Sequence, residues 1–200
     1  MTRVSQEHVI KRWLELECRK PEVPSVDVDS LTEREALDAL LNAKPGAASF
    51  IWREAPIEWQ KLTLSRHSFE RLRVVAGPGQ LSWRALSPDE TIRGAANRIV
   101  ACASEDVDGL TAETGVDIER VLSFSNRLPD GPLVLVDHPD CRPPRVADGN
   151  YRATARALNL IETDVYTPVR AYLGVPTRST LKPLRNRLCE LVRRRCRRTW

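Results

Sequence analysis

Two hundred residues, 42% hydrophobic and 29% charged, fit one medium-sized globular domain with short appendages. No apolar run reaches the roughly 18 residues that span a bilayer, and the opening "MTRVSQEHVIKRW" lacks the continuous apolar core of a signal peptide. A cytoplasmic chain with no membrane partner is therefore expected. The net charge of +4 is uneven: from Ser179 to Trp200 eight Lys/Arg face one acid, Glu190, so that segment carries +7 and the preceding 178 residues −3.

Residues 1–45 predict a helical N-terminal extension. "SQEHVIKRWLELECRK" has apolar residues at Val9, Ile10, Trp13, Leu14 and Leu16, which fits an amphipathic helix with Ser5 as its N-cap. "KPEVPSVDVDS", with its two prolines, is a connector, and "LTEREALDALL" is a second helix with Ala36, Leu37, Leu40 and Leu41 on one side. The five cysteines, Cys18, Cys102, Cys141, Cys189 and Cys196, are odd in number and form no C-x-x-C pair. That pattern argues against a disulfide framework or a zinc ribbon, and His138 with Cys141 alone does not close a tetrahedral site, so no metal ligands are assigned.

Residues 46–175 read as the main domain. "ASFIWRE" and "IEWQKLTL" each predict a short strand, "SRHSFERLRVV" a helix entered from Ser65, and "AGPGQ" a loop without P-loop spacing. "WRALSPDETIRGAANRIVACA" predicts a strand ending at Leu86. It then has the capping-box pattern Ser87-x-x-Glu90, with Pro88 at the first position of a helix running to about Ala103. "SEDVDGLTAETGVD" is polar and reads as loop, "IERVLSFSNRL" as a helix and "PDGP" as a turn.

From Pro132 the pattern tightens. "PLVLVDHPD" is a strand with Leu133 and Leu135 alternating, "CRPP" a turn, "RVAD" a second strand, "GNYRATARALNL" a helix and "TDVYTPVRAYLG" a further strand. Residues 176–200 predict a basic helix with Leu181, Leu184, Leu188 and Leu191 along one stripe. The whole is of α/β (α+β) class.

The turn at Asp148–Gly149 opens a helix, and helix N-termini attract anions because their first amides lack intrahelical partners. Gly149 permits positive φ and close backbone approach. Arg152, in the first turn, opposes the helix dipole, a conflict that a bound anion would relieve; it is read either as a contact to a phosphate or as an arginine that is solvated or paired with a nearby acid. Asp148 is read either as holding a metal or ligand hydroxyl or as a helix cap, and Asn150 competes for the cap. Tyr151 either stacks on a base or packs on the sheet. Thr154 either adds a hydroxyl to the site or fills the core edge. Glu90 is either the capping residue or a general base.

The stretch "PLVLVDHPDCRPPRVADGNYRATARAL" resembles the ParB/sulfiredoxin superfamily, over roughly residues 80–175. Its members include CTP-binding ParB partition proteins, ATP-dependent sulfiredoxins, ADP- or ATP-dependent free-serine kinases and nucleases. In them a D-G-x-x-R turn and the helix after it hold nucleotide phosphates, and Asp148, Gly149 and Arg152 fall on that turn. Asn150 stands where a sulfiredoxin has its cysteine, which disfavours that chemistry. Asn150–Tyr151 also replaces the Glu–Arg centre of ParB and the histidine of the serine kinases. "LSPDETI" places Glu90, with Asp89 beside it, at the serine kinases' catalytic glutamate, which takes a proton from the substrate hydroxyl.

The resemblance implies a small mixed sheet with flanking helices and a nucleotide-binding phosphotransferase or nucleotide hydrolase. Glu90 and Asp148 are then the catalytic candidates. Gly149, Asn150, Tyr151, Arg152 and Thr154 would hold ATP, ADP or CTP, with Mg²⁺ as cofactor. The alternative is a DNA-binding, ParB-like regulator or nuclease-like module, in which Arg193, Arg194, Arg195, Arg197 and Arg198 neutralise backbone phosphates. A homodimer is the assembly considered.

Overall fold

The computed structural model describes residues 1–51, 57–75, 82–102, 106–128, 130–137 and 143–176. Among the described residues five strands form one mixed sheet in the order β1-β2-β5-β3-β4: β1 (Thr2–Val4), β2 (Ile57–Leu64), β3 (Leu133–Val136), β4 (Arg145–Asp148) and β5 (Val169–Pro176). β3 runs parallel to β5, and the other pairings are antiparallel. The class is α+β. The β3–β4–helix–β5 order places two parallel strands side by side with the helix as the crossover, as such a connection requires.

Both faces of this sheet are covered. Leu133 and Leu135 of β3 belong to one hydrophobic cluster, Val134 and Val136 to another, and all four are buried. The period of two alone would place half of them toward solvent; a strand sandwiched between helical layers has no solvent face. One layer consists of α1 (Gln6–Glu17) and α2 (Glu33–Ala43), which bring Val9, Ile10, Trp13, Leu14, Ala36 and Leu40 against Trp59, Val134, Val136 and Tyr172. The segment read as a helical N-terminal extension thus supplies the edge strand β1 and most of the cover of one sheet face, which Ala47 and Ile51 complete. Ser5 caps α1 by accepting from the His8 amide, and Thr32 with Glu35 forms a complete capping box on α2.

The other layer contains α4 (Arg66–Glu70), α5 (Trp83–Leu86), α6 (Ile92–Ala101), α7 (Val107–Thr114), α8 (Ile118–Asn126) and α9 (Asn150–Thr163), with α6 and α8 packed on α9. Three expectations are corrected. "ASFI" is a helical turn, α3 (Ala48–Ile51), because Ala47 and Ile51 are both buried and lie four residues apart, a helical spacing. "WRAL" is α5 and not a strand: Trp83 and Leu86 are buried three residues apart, and the Ser82 carbonyl accepts from the Ala85 and Leu86 amides. The polar stretch after Ala103 contains α7, held by burial of Leu110 and Thr114 at i, i+4.

The helix start at Ser87–Glu90 is displaced as well. α6 begins at Ile92, capped by Thr91, whose hydroxyl accepts from the Gly94 amide at 2.8 Å. Asp89 supports that cap, accepting from the Thr91 amide at 3.0 Å and from its hydroxyl at 2.8 Å. Glu90 has φ of +60°, a left-handed conformation that no N3 residue adopts, so the predicted box does not form. The basic C-terminal segment, the "PDGP" turn at Pro129 and the "CRPP" turn at 141–142 lie outside the described residues.

If α1 is an integral layer, Trp13→Ala, which empties a site 1% exposed, should lower unfolding free energy by about 3–5 kcal/mol. Chemical denaturation reads this directly; a loss below about 1 kcal/mol would mean the layer is loosely attached.

Candidate functional site

β4 ends at Asp148, Gly149 turns the chain, and α9 begins at Asn150. Gly149 has φ +94° and provides no side-chain cap. Its positive φ favours glycine, and a Cβ there would lie 2.7 Å from Leu133 Cδ2 and 2.8 Å from Arg152 Nη2, so a side chain would have to displace these two groups. The 14-residue helix therefore starts with its first amides uncapped by the preceding side chain, at the positive end of its dipole.

This helix end opens on a cleft of about 650 Å³, within the size range of small-molecule sites. Five basic residues line it, Arg19, Lys20, Lys44, Arg120 and Arg152, against three acids, Glu17, Asp130 and Asp148. Its other wall is aromatic. Tyr151 stands edge-on to Trp83 with centroids 4.9 Å apart, and the Arg120 guanidinium lies 4.9 Å from the Tyr151 ring centroid and 5.6 Å from that of Phe124. Among the described residues Arg19 and Arg120 are exposed and make no ion pair.

The five residues of the turn have distinct roles. Asp148 is buried; its Oδ1 accepts from Lys44 and its Oδ2 from Arg152 Nη2 at 2.8 Å. Burial pushes the Asp148 carboxyl up, but the charges of Lys44 and Arg152 outweigh it and hold the group below the usual carboxylate range. Arg152 also donates to the Pro132 carbonyl at 3.1 Å, so its guanidinium folds back onto the β3–β4 side of the turn. Of the readings of Arg152, pairing with a nearby acid is the one the structure shows, and the acid is Asp148. Asn150 is a staple: its Oδ1 accepts from the Val75 amide at 3.0 Å and its Nδ2 donates to the Val146 carbonyl at 3.2 Å, so neither group caps α9. Tyr151 faces the cleft. Thr154 is fully buried and does not line it.

Glu90 lies apart from this cleft. Arg73, Arg84 and Arg145 all pair with its carboxylate, the last two at 2.6 and 2.7 Å. The Arg145 hydrogen bond, then the charges of Arg145, Arg73 and Arg84, overcome desolvation and keep Glu90 acidic. A carboxylate held this way is a weak proton acceptor. Its backbone carbonyl also accepts from the Val74 amide at 2.9 Å, so the residue joins three segments. The structure thus brings Asp148, Gly149, Asn150, Tyr151 and Arg152 to one cleft and leaves Glu90 and Thr154 out of it. Arg193, Arg194, Arg195, Arg197 and Arg198 lie outside the described residues.

Sequence reasoning misses Glu17, Arg19, Lys20, Lys44, Trp83 and Arg120. Nothing local marks them; they reach the cleft from the end of α1 and the turn after it, from the C-cap of α2, and from α5 and α8. Nor does the donor set suit the Mg²⁺ that the resemblance implies. Glu17 Oε1 accepts from Lys44 at 3.2 Å and its Oε2 from Lys20, so all four oxygens of Glu17 and Asp148 already face cations. Among the described residues no three His, Cys, Asp or Glu are grouped to hold a metal. No protein-family model, curated protein or solved structure matches the chain.

A carboxyl depressed on folding stabilises the protein above its unfolded pKa, about 3.9, and that stability is lost as pH falls through the folded value. Urea midpoints should therefore drop below about pH 4, and Asp148→Asn should flatten that part of the profile. At neutral pH the same substitution should cost about 3–5 kcal/mol, because Lys44 and Arg152 lose a buried partner.

Proposed function

We propose that this cleft binds a nucleotide, with phosphates at the start of α9 and the base against Tyr151, Trp83 and Arg120. The observation that carries the reading is the convergence on one cleft of the start of a 14-residue helix whose N-cap Gly149 provides no side chain, a net excess of basic residues and an aromatic wall. Phosphates suit the helix end and the cations; the flat base suits the aromatic side and the stacked guanidinium. The resemblance to the ParB/sulfiredoxin superfamily supports the same placement.

Phosphoryl transfer or nucleotide hydrolysis is the reaction class we infer. Of the two catalytic candidates, Asp148 lines the cleft and Glu90 does not. Because Asp148 is gripped by Lys44 and Arg152, we assign it to organising those cations and not to accepting a proton. Catalysis on this reading depends on positioning and on charge stabilisation of the transferred phosphoryl, which dominate such reactions.

Titration of ATP, ADP and CTP followed by tryptophan fluorescence should give saturable binding. Arg120→Ala and Tyr151→Ala should each weaken it by about tenfold, as expected for losing one stacking contact of about 1–2 kcal/mol. Absence of binding at about 1 mM nucleotide, an affinity of only about −4 kcal/mol, would sink the reading.

The excess of basic residues in 179–200 favours a second reading, DNA binding by that segment. Replacing Arg193, Arg194, Arg195, Arg197 and Arg198 together by alanine should weaken DNA binding. The slope of log K against log salt should become shallower by up to about 4. An unchanged slope would remove DNA from consideration as a partner of this segment.

A further inference from the structure

The geometry points to Lys44 as the built-in cation of the cleft, standing where a divalent metal would otherwise sit, so that a phosphorylated ligand binds without one. This rests on the nucleotide reading of the same site.

Two buried carboxylates from different layers, Glu17 at the end of α1 and Asp148 at the end of β4, converge on a single point beside the start of α9. Carboxylates converging beside a phosphate site are the usual protein contribution to a Mg²⁺ centre. Here the point is occupied by the Lys44 ammonium, which donates to Glu17 Oε1 at 3.2 Å and to Asp148 Oδ1. The outer oxygens are taken too, Glu17 Oε2 by Lys20 and Asp148 Oδ2 by Arg152 at 2.8 Å. A metal would have to displace the ammonium and leave it unpaired beside a dication.

The charge count agrees. Lys20, Lys44 and Arg152 against Glu17 and Asp148 leave the cluster with one positive charge. That surplus, with the dipole of α9, favours an anion and not a further cation. An ammonium has three N–H donors, and among the described residues two of those on Lys44 are engaged, by Glu17 and Asp148. The third remains for a ligand oxygen in the cleft that Lys44 lines. Lys44 also sits at the C-cap of α2, and its ammonium lies 5.4 Å from the Trp13 ring centroid, so its stem is held by the packed layer.

The test uses the full chain with ADP and with inorganic pyrophosphate, titrated calorimetrically in EDTA and again in excess Mg²⁺. Wild type should bind in EDTA with affinity within about threefold of that in Mg²⁺, and Mn²⁺ alone should give no bound signal by electron paramagnetic resonance. Lys44→Met should lose at least tenfold in EDTA and regain part of it with Mg²⁺ or Mn²⁺, now held by the freed carboxylates. Lys44→Arg, which keeps the charge, should retain metal-free binding. Wild-type binding that requires Mg²⁺, or Mn²⁺ bound to wild type without nucleotide, would overturn the inference while leaving the nucleotide reading intact. Failure of wild type to bind in either buffer would overturn both. The two wild-type measurements decide the matter even if the methionine variant does not fold.

Discussion

A carboxylate buried at the end of an edge strand is tolerated only if cations are brought to it. Leaving Asp148 alone would cost several kcal/mol in desolvation, and its two oxygens are instead met from two directions. Arg152 comes from one turn along α9, within the same local motif. Lys44 comes from the C-cap of α2, 104 positions away in sequence. The ion pair therefore joins the layer that covers one sheet face to the turn that starts the crossover helix, and it fixes the mouth of the cleft where the two meet. Glu17, buried on α1, completes the connection through the same ammonium.

The turn itself is built around one missing side chain. Gly149 supplies the left-handed conformation and the space into which Leu133 and Arg152 pack. Because the guanidinium occupies that space, Arg152 braces the strand end from beneath, and among the described residues the exposed cations lining the cleft are Arg19 and Arg120. Asn150 ties the turn to Val75 and to the β4 backbone. The turn is thus tied down by Asn150 while the preceding residue, Gly149, offers no side chain to the first amides of α9, which suits an anion at a helix terminus.

A second polar cluster sits elsewhere and has a different character. Glu90 accepts three arginines from α5, β4 and the bridge segment at Arg73, which itself accepts from the Val146 amide at 2.8 Å. Its left-handed backbone carries a cost of about 1–2 kcal/mol, sustained by the carbonyl bond from Val74 and by the three ion pairs. A glutamate after a serine-proline pair thus becomes a junction between segments, while the cap passes to Thr91.

Much of the molecule is determined by local sequence. The strands at Ile57–Leu64, Leu133–Val136 and Arg145–Asp148, the Gly149 turn, and helices α1, α2, α8 and α9 are legible from periodicity and capping residues, whose physics acts within a few positions. Local sequence is least decisive where a short apolar pair serves strand or helix equally well, as at Ala47–Ile51 and Trp83–Leu86; there only burial against the finished core chooses. The candidate cleft divides the same way. Asp148, Gly149, Asn150, Tyr151 and Arg152 are contiguous and announce a helix start. Lys44, Glu17, Lys20, Trp83 and Arg120 have no local signature, because their role is set by charge and ring contacts that form only when three layers close around the end of β4. Local chemistry is enough to start a helix at Gly149–Asn150 with an arginine in its first turn. That this arginine faces inward to a buried aspartate, and that a distant lysine supplies the neighbouring cation, depends on the packing of the layers, since a buried charge takes whichever partner packing brings within reach.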